Sequence, residues 1–163
     1  MKTCISLSAF LLLCCSLLAQ KPAEKIPSFT FFRQDSTTFT NQDLTTDKLR
    51  YFVFFDTDCD HCQHAIADIN KHSNDFEKAS LYLITLDKNN KIDPFMIKYA
   101  SQLKGKSNVT ILQDTLQEFI VKFKPKKYPA MFLYSSQSEL ILYSDNEKEV
   151  PKFLKQINVE MKK

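Results

Sequence analysis

The sequence contains no tryptophan and a single glycine, Gly105, among its 163 residues. Phosphate-binding loops of both common kinds need several glycines close together, so this absence excludes them. The charges are nearly balanced, with 22 Lys and Arg against 19 Asp and Glu, which does not favour binding to nucleic acid. A local excess of lysine is interpreted as a solvent-exposed surface, formed by Lys104, Lys106, Lys122, Lys124, Lys126 and Lys127.

The first twenty residues have the pattern of an export signal, with a positive charge near the start and an apolar stretch at 5–18. A small residue, Ala19, precedes the predicted cleavage site. The apolar stretch is shorter than the roughly 20 residues that a membrane span needs. We therefore predict a signal peptide at 1–19 and an exported, periplasmic protein. Retention of the leader as an anchor, or a lipid on Cys14 or Cys15, is the alternative.

Outside this leader the sequence has two cysteines, in the motif Cys59-Asp60-His61-Cys62. The other three, Cys4, Cys14 and Cys15, lie within the leader. Two intervening residues at the start of a helix bring the two sulfurs within bonding distance, so a disulfide can open and close with little backbone movement. The pair indicates dithiol–disulfide chemistry, for which we predict no cofactor.

The remaining residues, 20–163, predict one α/β domain. The aromatic and β-branched run Tyr51–Phe55 predicts a strand buried on both faces, and helical spacing follows from Asp60 to about Ala79. Further strands are predicted at 29–33, 37–40, 81–86, 109–112, 130–134 and 140–143, and further helices at 93–103, 115–123 and 147–161. The order β-β-β-α-β-α-β-α-β-β-α predicts a mixed central sheet with helices on both faces.

The two cysteines differ in position along the predicted helix. Cys59 falls where the buried strand ends and the helix begins, and the free N–H groups and positive dipole end there stabilise a thiolate. Cys62 lies one turn further along, on the apolar face, and is expected to be the less exposed thiol. We predict that Cys59 attacks the substrate and that Cys62 resolves the mixed disulfide.

Neighbouring charges act on this pair in opposite directions. A protonated His61 would favour the thiolate and make the disulfide more oxidising. Asp60, together with Asp56 and Asp58 just upstream, would disfavour the thiolate by repulsion. The sign of the net effect stays open. A second interpretation of Asp58 and Asp60 is that they cap the helix and complement its dipole.

Metal binding is an alternative for the same segment, since two thiolates near His61 and His64 suit zinc or Cu(I). A closed zinc site needs four ligands, and no second Cys/His pair follows in the sequence. We therefore predict no metal site.

With these residues identified, the sequence resembles the thioredoxin-like superfamily, specifically its exported TlpA- and ResA-type thiol–disulfide oxidoreductases. The resemblance covers nearly all of 20–163. It includes an added N-terminal hairpin at 27–44, shared with peroxiredoxins, the strand that enters the cysteine motif, and Tyr128-Pro129-Ala130. In this family a cis-proline loop faces the cysteine pair. The resemblance therefore implies that Pro129 is cis and that Tyr128 and Pro129 bind an extended substrate segment by strand addition.

We predict a monomer that reduces protein disulfides. Because it has no second cysteine pair, it must exchange electrons with a separate partner, which we expect to be membrane-bound. Three features depart from the family pattern, and the second and third leave the redox potential and direction open. Asp58 replaces the usual tryptophan, the central pair is Asp-His, and Val53 stands where thioredoxin has a buried aspartate that assists the resolving thiol. Two other functions are alternatives: a copper-handling or redox-sensing binding protein, and a peroxidase. The segment 55–59 lacks the Pro-x-x-x-Thr-x-x-Cys motif of peroxiredoxins.

Overall fold

The structure is a computed structural model that describes residues 21–162. The predicted leader at 1–19, with Cys4, Cys14 and Cys15, lies outside the described residues. Within 21–162, none of the helices has the length and apolar character needed to cross a membrane.

The strands and helices follow one another in the predicted order. The strands are β1 (Thr30–Arg33), β2 (Thr38–Thr40), β3 (Leu49–Phe54), β4 (Ala79–Thr85), β5 (Val109–Gln113), β6 (Ala130–Tyr134) and β7 (Leu140–Ser144). The helices are α1 (Asp60–Lys71), α2 (Asn89–Tyr99), α3 (Glu118–Phe123) and α4 (Val150–Glu160). Short 3₁₀ turns lie at Asn41–Asp43, Asp75–Lys78 and Glu147–Glu149.

The strands form one seven-stranded sheet in the order β2-β1-β5-β4-β3-β6-β7. The central strands β3, β4 and β5 are parallel, whereas β6 runs antiparallel to β3, and β7 is antiparallel to β6. The hairpin β1–β2 is present, and β1 joins the sheet antiparallel to β5. The predicted mixed sheet and the added N-terminal hairpin are therefore confirmed.

Every residue of β3 is buried, because side chains that alternate along the strand enter one of two cores. Tyr51 and Val53 belong to the core beneath α1, α2 and α4. Phe52 and Phe54 belong to the opposite core, which is rich in phenylalanine and is closed by α3 and the N-terminal hairpin. Helices thus cover both faces of the sheet, as predicted, and the strand is fixed from both sides up to the residue where the cysteine loop begins.

The bounds of α1 and α2 differ from the predictions. The helix predicted to reach Ala79 ends at Lys71, because the chain turns through Asp75–Lys78 and Ala79 is already the first residue of β4. Phe76, predicted to belong to the buried face of this helix, is buried, but it lies in the 3₁₀ turn Asp75–Lys78. The helix predicted at 93–103 begins four residues earlier, at Asn89, and also ends four residues earlier, at Tyr99. It contains Pro94 at an exposed position.

The last two helices are shorter than predicted. The helix predicted at 115–123 begins at Glu118, because the buried Asp114 carboxylate accepts the N–H groups of Glu118 and Phe119, at 2.9 and 2.8 Å. The helix predicted at 147–161 opens as a 3₁₀ turn and becomes α-helical only at Val150.

Candidate active site

The cysteine pair lies at the carboxyl end of β3, where the chain enters α1. Cys59 is the N-cap residue of α1, and its backbone N–H donates to the Asp56 carbonyl at 3.3 Å. Its carbonyl accepts the N–H of Gln63 at 3.0 Å, which starts the helix. Cys59 is half-buried and Cys62 is fully buried, and both are free thiols. The difference in exposure predicted from the sequence is confirmed.

The surroundings of Cys62 hold this thiol in its protonated form. Burial raises the pKa of Cys62 far above its ordinary value. A hydrogen bond with Cys59, and the negative charges of Cys59 and Asp56, raise it further, while a backbone hydrogen bond from Asp56 acts in the opposite direction. Cys62 is therefore the member of the pair that is less able to start a reaction.

The loop before Cys59 is held by a residue that the sequence analysis missed, Asp87. Thr57 donates its backbone N–H and its hydroxyl to one carboxylate oxygen of Asp87, at 3.0 and 2.8 Å. Partial burial favours the protonated form of Asp87, but the hydrogen bonds from Thr57 and the charge of Lys91 outweigh it and lower its pKa. Asp87 follows β4 and Thr57 follows β3. Because parallel strands end at the same edge of a sheet, this position was a signal that could have identified Asp87.

Asp58 pairs with Lys91 of α2, whose ammonium lies 2.6 Å from the Asp58 carboxylate and 3.7 Å from that of Asp87. The interpretation that Asp58 caps α1 is therefore wrong: the N-cap is Cys59, and no side chain caps this helix. Asp60 is the first residue of α1, where its negative charge complements the helix dipole. Ion pairing with Lys91 weakens the repulsion that Asp58 would exert on a Cys59 thiolate.

His61 and His64 are both exposed on α1. The Nδ1 atom of His61 lies 3.3 Å from a carboxylate oxygen of Glu147, in the turn that precedes α4, and the His61 side chain is 67% exposed. Solvent around this ring screens any charge it carries. Within residues 21–162, no group of three or more His, Cys, Asp and Glu side chains is arranged to hold a metal ion.

The peptide bond between Tyr128 and Pro129 is cis, which confirms the isomer implied by the resemblance. Pro129 is buried directly before β6, and the Tyr128 ring packs against Phe54 of β3 with 4.8 Å between centroids. Burial raises the pKa of Tyr128 to about 12, and the negative charge of Asp56 contributes to this shift. Tyr128 packs against both cores, one of which contains Cys62, and its hydroxyl is protonated at neutral pH.

A second support on the α2 side was also missed by the sequence analysis. The Tyr99 hydroxyl donates to the side-chain oxygen of Gln63 at 2.7 Å, and the Gln63 amide donates to the Thr57 carbonyl at 3.2 Å. Thr57, Gln63 and Tyr99 line an open groove of about 290 Å³ between the cysteine loop and α2. Lys91 and the edge of the buried Phe95 also line it. The cysteine loop is thus fixed from β4 and from α2.

Comparison with known proteins identifies a family and several structural neighbours for this chain. Residues 22–158 match the AhpC/TSA family. A protein assigned as the thiol:disulfide interchange protein DsbE of Chlorobium tepidum is 16% identical, with a TM-score of 0.68 and coverage of 87% of this chain and 98% of that chain. The peroxidoxin BcpB of Mycobacterium tuberculosis is 14% identical, with a TM-score of 0.69 and coverage of 86% and 97%.

The thioredoxin domain of a thiol-disulfide oxidoreductase from Bacteroides vulgatus is also 14% identical, with a TM-score of 0.66 and coverage of 83% of this chain and 96% of that domain. No curated protein matches the sequence. At these identities the structural neighbours establish the fold, which is thioredoxin-like, as the sequence predicted.

Proposed function

Because the chain belongs to the AhpC/TSA family and its two thiols differ in exposure, we propose that it is an exported thiol–disulfide oxidoreductase that reduces disulfides in partner proteins. The observation that carries the proposal is the division between a half-buried Cys59 at a helix N-terminus and a fully buried Cys62 with a raised pKa. An accessible thiol at a helix N-terminus is the one that attacks, because the positive end of the helix favours the thiolate, and a buried thiol reacts second.

The reaction transfers two electrons in two exchanges. The Cys59 thiolate attacks one sulfur of the partner disulfide, forms a mixed disulfide, and releases the other partner sulfur as a thiolate. Cys62 then gives up its proton and attacks the Cys59 sulfur. The Cys59–Cys62 disulfide forms, and the second partner sulfur leaves as a thiolate. Two protons end on the partner's two sulfurs, so the partner disulfide is reduced and the cysteine pair is oxidised.

Tyr128 and Pro129 are the proposed substrate-binding residues. They lie directly before β6, the strand paired with β3, so their backbone borders the end of the sheet at which Cys59 is placed. A partner segment in extended conformation would pair with this backbone as an added strand, with its disulfide next to Cys59.

Regeneration requires a second partner. Apart from Cys59 and Cys62, the cysteines of the sequence all lie in the predicted leader, so no internal pair can return electrons to the disulfide. We propose a membrane-bound electron donor and a periplasmic location, supported by the leader pattern and by the persistence of disulfides in such compartments.

Peroxide reduction is a second candidate, because the neighbours include a peroxidoxin. Two features weigh against it. Asp56 occupies the position three residues before Cys59 where peroxiredoxins have threonine. The nearby Thr57 hydroxyl is already donated to Asp87. The two activities are distinguished by comparing the rate at which the reduced protein consumes hydrogen peroxide with the rate at which it reduces the disulfides of insulin.

The proposal is tested by trapping. Cys62→Ser should accumulate mixed disulfides with partner proteins, because the attacking thiol remains and the resolving thiol is absent. Dithiothreitol should reduce these mixed disulfides and release the partners. Cys59→Ser should give no adduct and no turnover. The assigned roles would be contradicted if Cys59→Ser formed adducts, or if neither variant formed any.

A further inference from the structure

An apolar pocket lies beside the proposed substrate-binding loop, on the side of the sheet closed by α3. Its volume is about 150 Å³, and it opens to solvent next to Tyr128. We call it the Tyr128 pocket; its lining residues are Phe54, Ile120, Pro125, Lys126, Lys127 and Tyr128.

The floor of the Tyr128 pocket is a buried aromatic ring, that of Phe54. The Phe54 ring lies between Tyr128 and Phe119, with centroid distances of 4.8 and 4.4 Å, and is 1% exposed. Ile120, on the wall formed by α3, is 41% exposed. A space of about 150 Å³ holds a benzene-sized group, so it suits the side chain of Leu, Met or Phe.

The rim of the pocket carries positive charge that the chain does not neutralise. Among the described residues, no ion pair includes the exposed side chains of Lys124, Lys126 or Lys127. Lys122, one turn back on α3, is instead bound to Glu118 at 2.8 Å. The rim backbone is also held, because the Lys126 N–H donates to the Tyr143 hydroxyl at 3.1 Å.

The pocket is continuous with the loop proposed to pair with substrate, since Tyr128 belongs to both. We propose that the Tyr128 pocket selects the partner protein, an inference that rests on the proposed function. It receives an apolar side chain from the extended segment that carries the disulfide, while Lys126 and Lys127 pair with acidic residues on either side of that side chain. Complementary charge of this kind raises the rate of association and its effect falls as salt is added.

Two synthetic peptides test the charge preference. Both carry one cysteine as a mixed disulfide with glutathione and the same leucine three residues away; glutamates flank the leucine in one peptide and lysines in the other. The reduced full-length protein should reduce the acidic peptide about tenfold faster at low salt, with a smaller ratio at high salt. Equal rates would overturn the inference.

Charge reversal supplies the matched variants. The double variant Lys126→Glu, Lys127→Glu should lose or invert the preference. The double variant Lys104→Glu, Lys155→Glu makes the same change in net charge at exposed positions outside the pocket and should keep it. Loss of the preference in both double variants would overturn the inference, because net charge alone would then explain it.

Neighbouring residues on α3 test the apolar contact. Ile120→Ser should reduce the acidic leucine peptide severalfold more slowly than wild type does. Its rate should equal the rate at which the wild-type protein reduces an acidic peptide with serine in place of leucine. Val121→Ser, at a 70% exposed position outside the pocket, should leave the rate unchanged. Equal slowing by both variants would overturn the inference.

A small neutral disulfide, 4,4′-dithiodipyridine, separates this inference from the proposed function. All four variants should reduce it at the wild-type rate, which shows that the cysteine pair is intact. Reduction of this disulfide without any preference between the peptides overturns the inference alone. Failure of the wild-type protein to reduce any disulfide overturns the proposed function and the inference with it.

Discussion

Thr57 and Asp87 are joined by two hydrogen bonds to a single carboxylate oxygen, although 30 residues separate them in the sequence. Thr57 lies two residues before Cys59, and Asp87 lies two residues after the end of β4. The neighbouring strand thereby fixes the backbone that presents the attacking thiol. Lys91 extends the network to Asp58, the residue directly before Cys59.

Removal of the Asp87 carboxylate should weaken both the fold and the reaction. Asp87→Ala leaves the Thr57 N–H and hydroxyl without their acceptor, and hydrogen bonds to a charged group contribute about 1.5–3 kcal/mol. We expect a loss of free energy of unfolding within that range and slower reduction of a model disulfide, measured by urea denaturation and stopped-flow kinetics. Asp47→Ala, at an exposed position, is the control. A change below about 0.5 kcal/mol in Asp87→Ala would contradict the anchoring role.

The contribution of Asp87 should depend on pH in the acid range. Its pKa in the folded protein is lowered from the ordinary 3.8, so the folded state binds fewer protons than the unfolded state. This stabilisation is fully present above the ordinary pKa and is lost as the pH falls through the folded value. The difference in unfolding free energy between wild type and Asp87→Ala should therefore stay constant from neutral pH to about pH 5 and shrink below it. A difference in unfolding free energy that grows on acidification would contradict a lowered pKa of Asp87 in the folded protein.

Asp56 should oppose ionisation of Cys62. Its negative charge is among the causes that raise the pKa of Cys62, and Asp56→Asn removes the charge while keeping an oxygen for the Asp58 N–H, 2.8 Å away. In a Cys59→Ser background, Cys62 should be alkylated severalfold faster at any given pH below its pKa. Mass spectrometry measures the rate of alkylation. Asp60→Asn, whose charge is not among those causes, should change little. Slower alkylation in Asp56→Asn would contradict this account.

His61 should have a small effect on the redox potential. A positive imidazole near Cys59 would favour the thiolate, so His61→Ala should lower the potential of the couple. The ring is largely exposed and lies 3.3 Å from Glu147, so we expect a shift of less than about 30 mV, or tenfold in the equilibrium constant. His64→Ala, at an exposed position on the same helix, should give no shift. A rise in potential for His61→Ala would contradict the expected sign.

The sequence predicted the parts of this fold that depend on local pattern. The continuous run Tyr51–Phe55 marks a strand buried on both faces, and apolar spacing after Asp60 places Cys62 on the buried face of α1. Both features follow from a few adjacent side chains. The end of α1 was not predicted, because buried Phe76 fits helical spacing as well as it fits the turn that the chain adopts.

The supports of the site could not be obtained in the same way. Asp87, Lys91 and Tyr99 act on the cysteine loop from α2 and from the end of β4, so their roles depend on which strands become neighbours. Asp58 shows the consequence: from the sequence it resembles a helix cap, but the approach of α2 supplies Lys91, and the carboxylate pairs with that ammonium instead. Local preference was overridden by a long-range contact.

The central claim is that Cys59 and Cys62 form a reversible couple that reduces other disulfides. The most direct test is to equilibrate the protein with glutathione or dithiothreitol and count thiols at these two positions by site-resolved alkylation. The account predicts a two-electron couple with a potential near the thioredoxin value of roughly −270 mV. A potential near the DsbA value of roughly −120 mV, or no reversible couple at all, would contradict it.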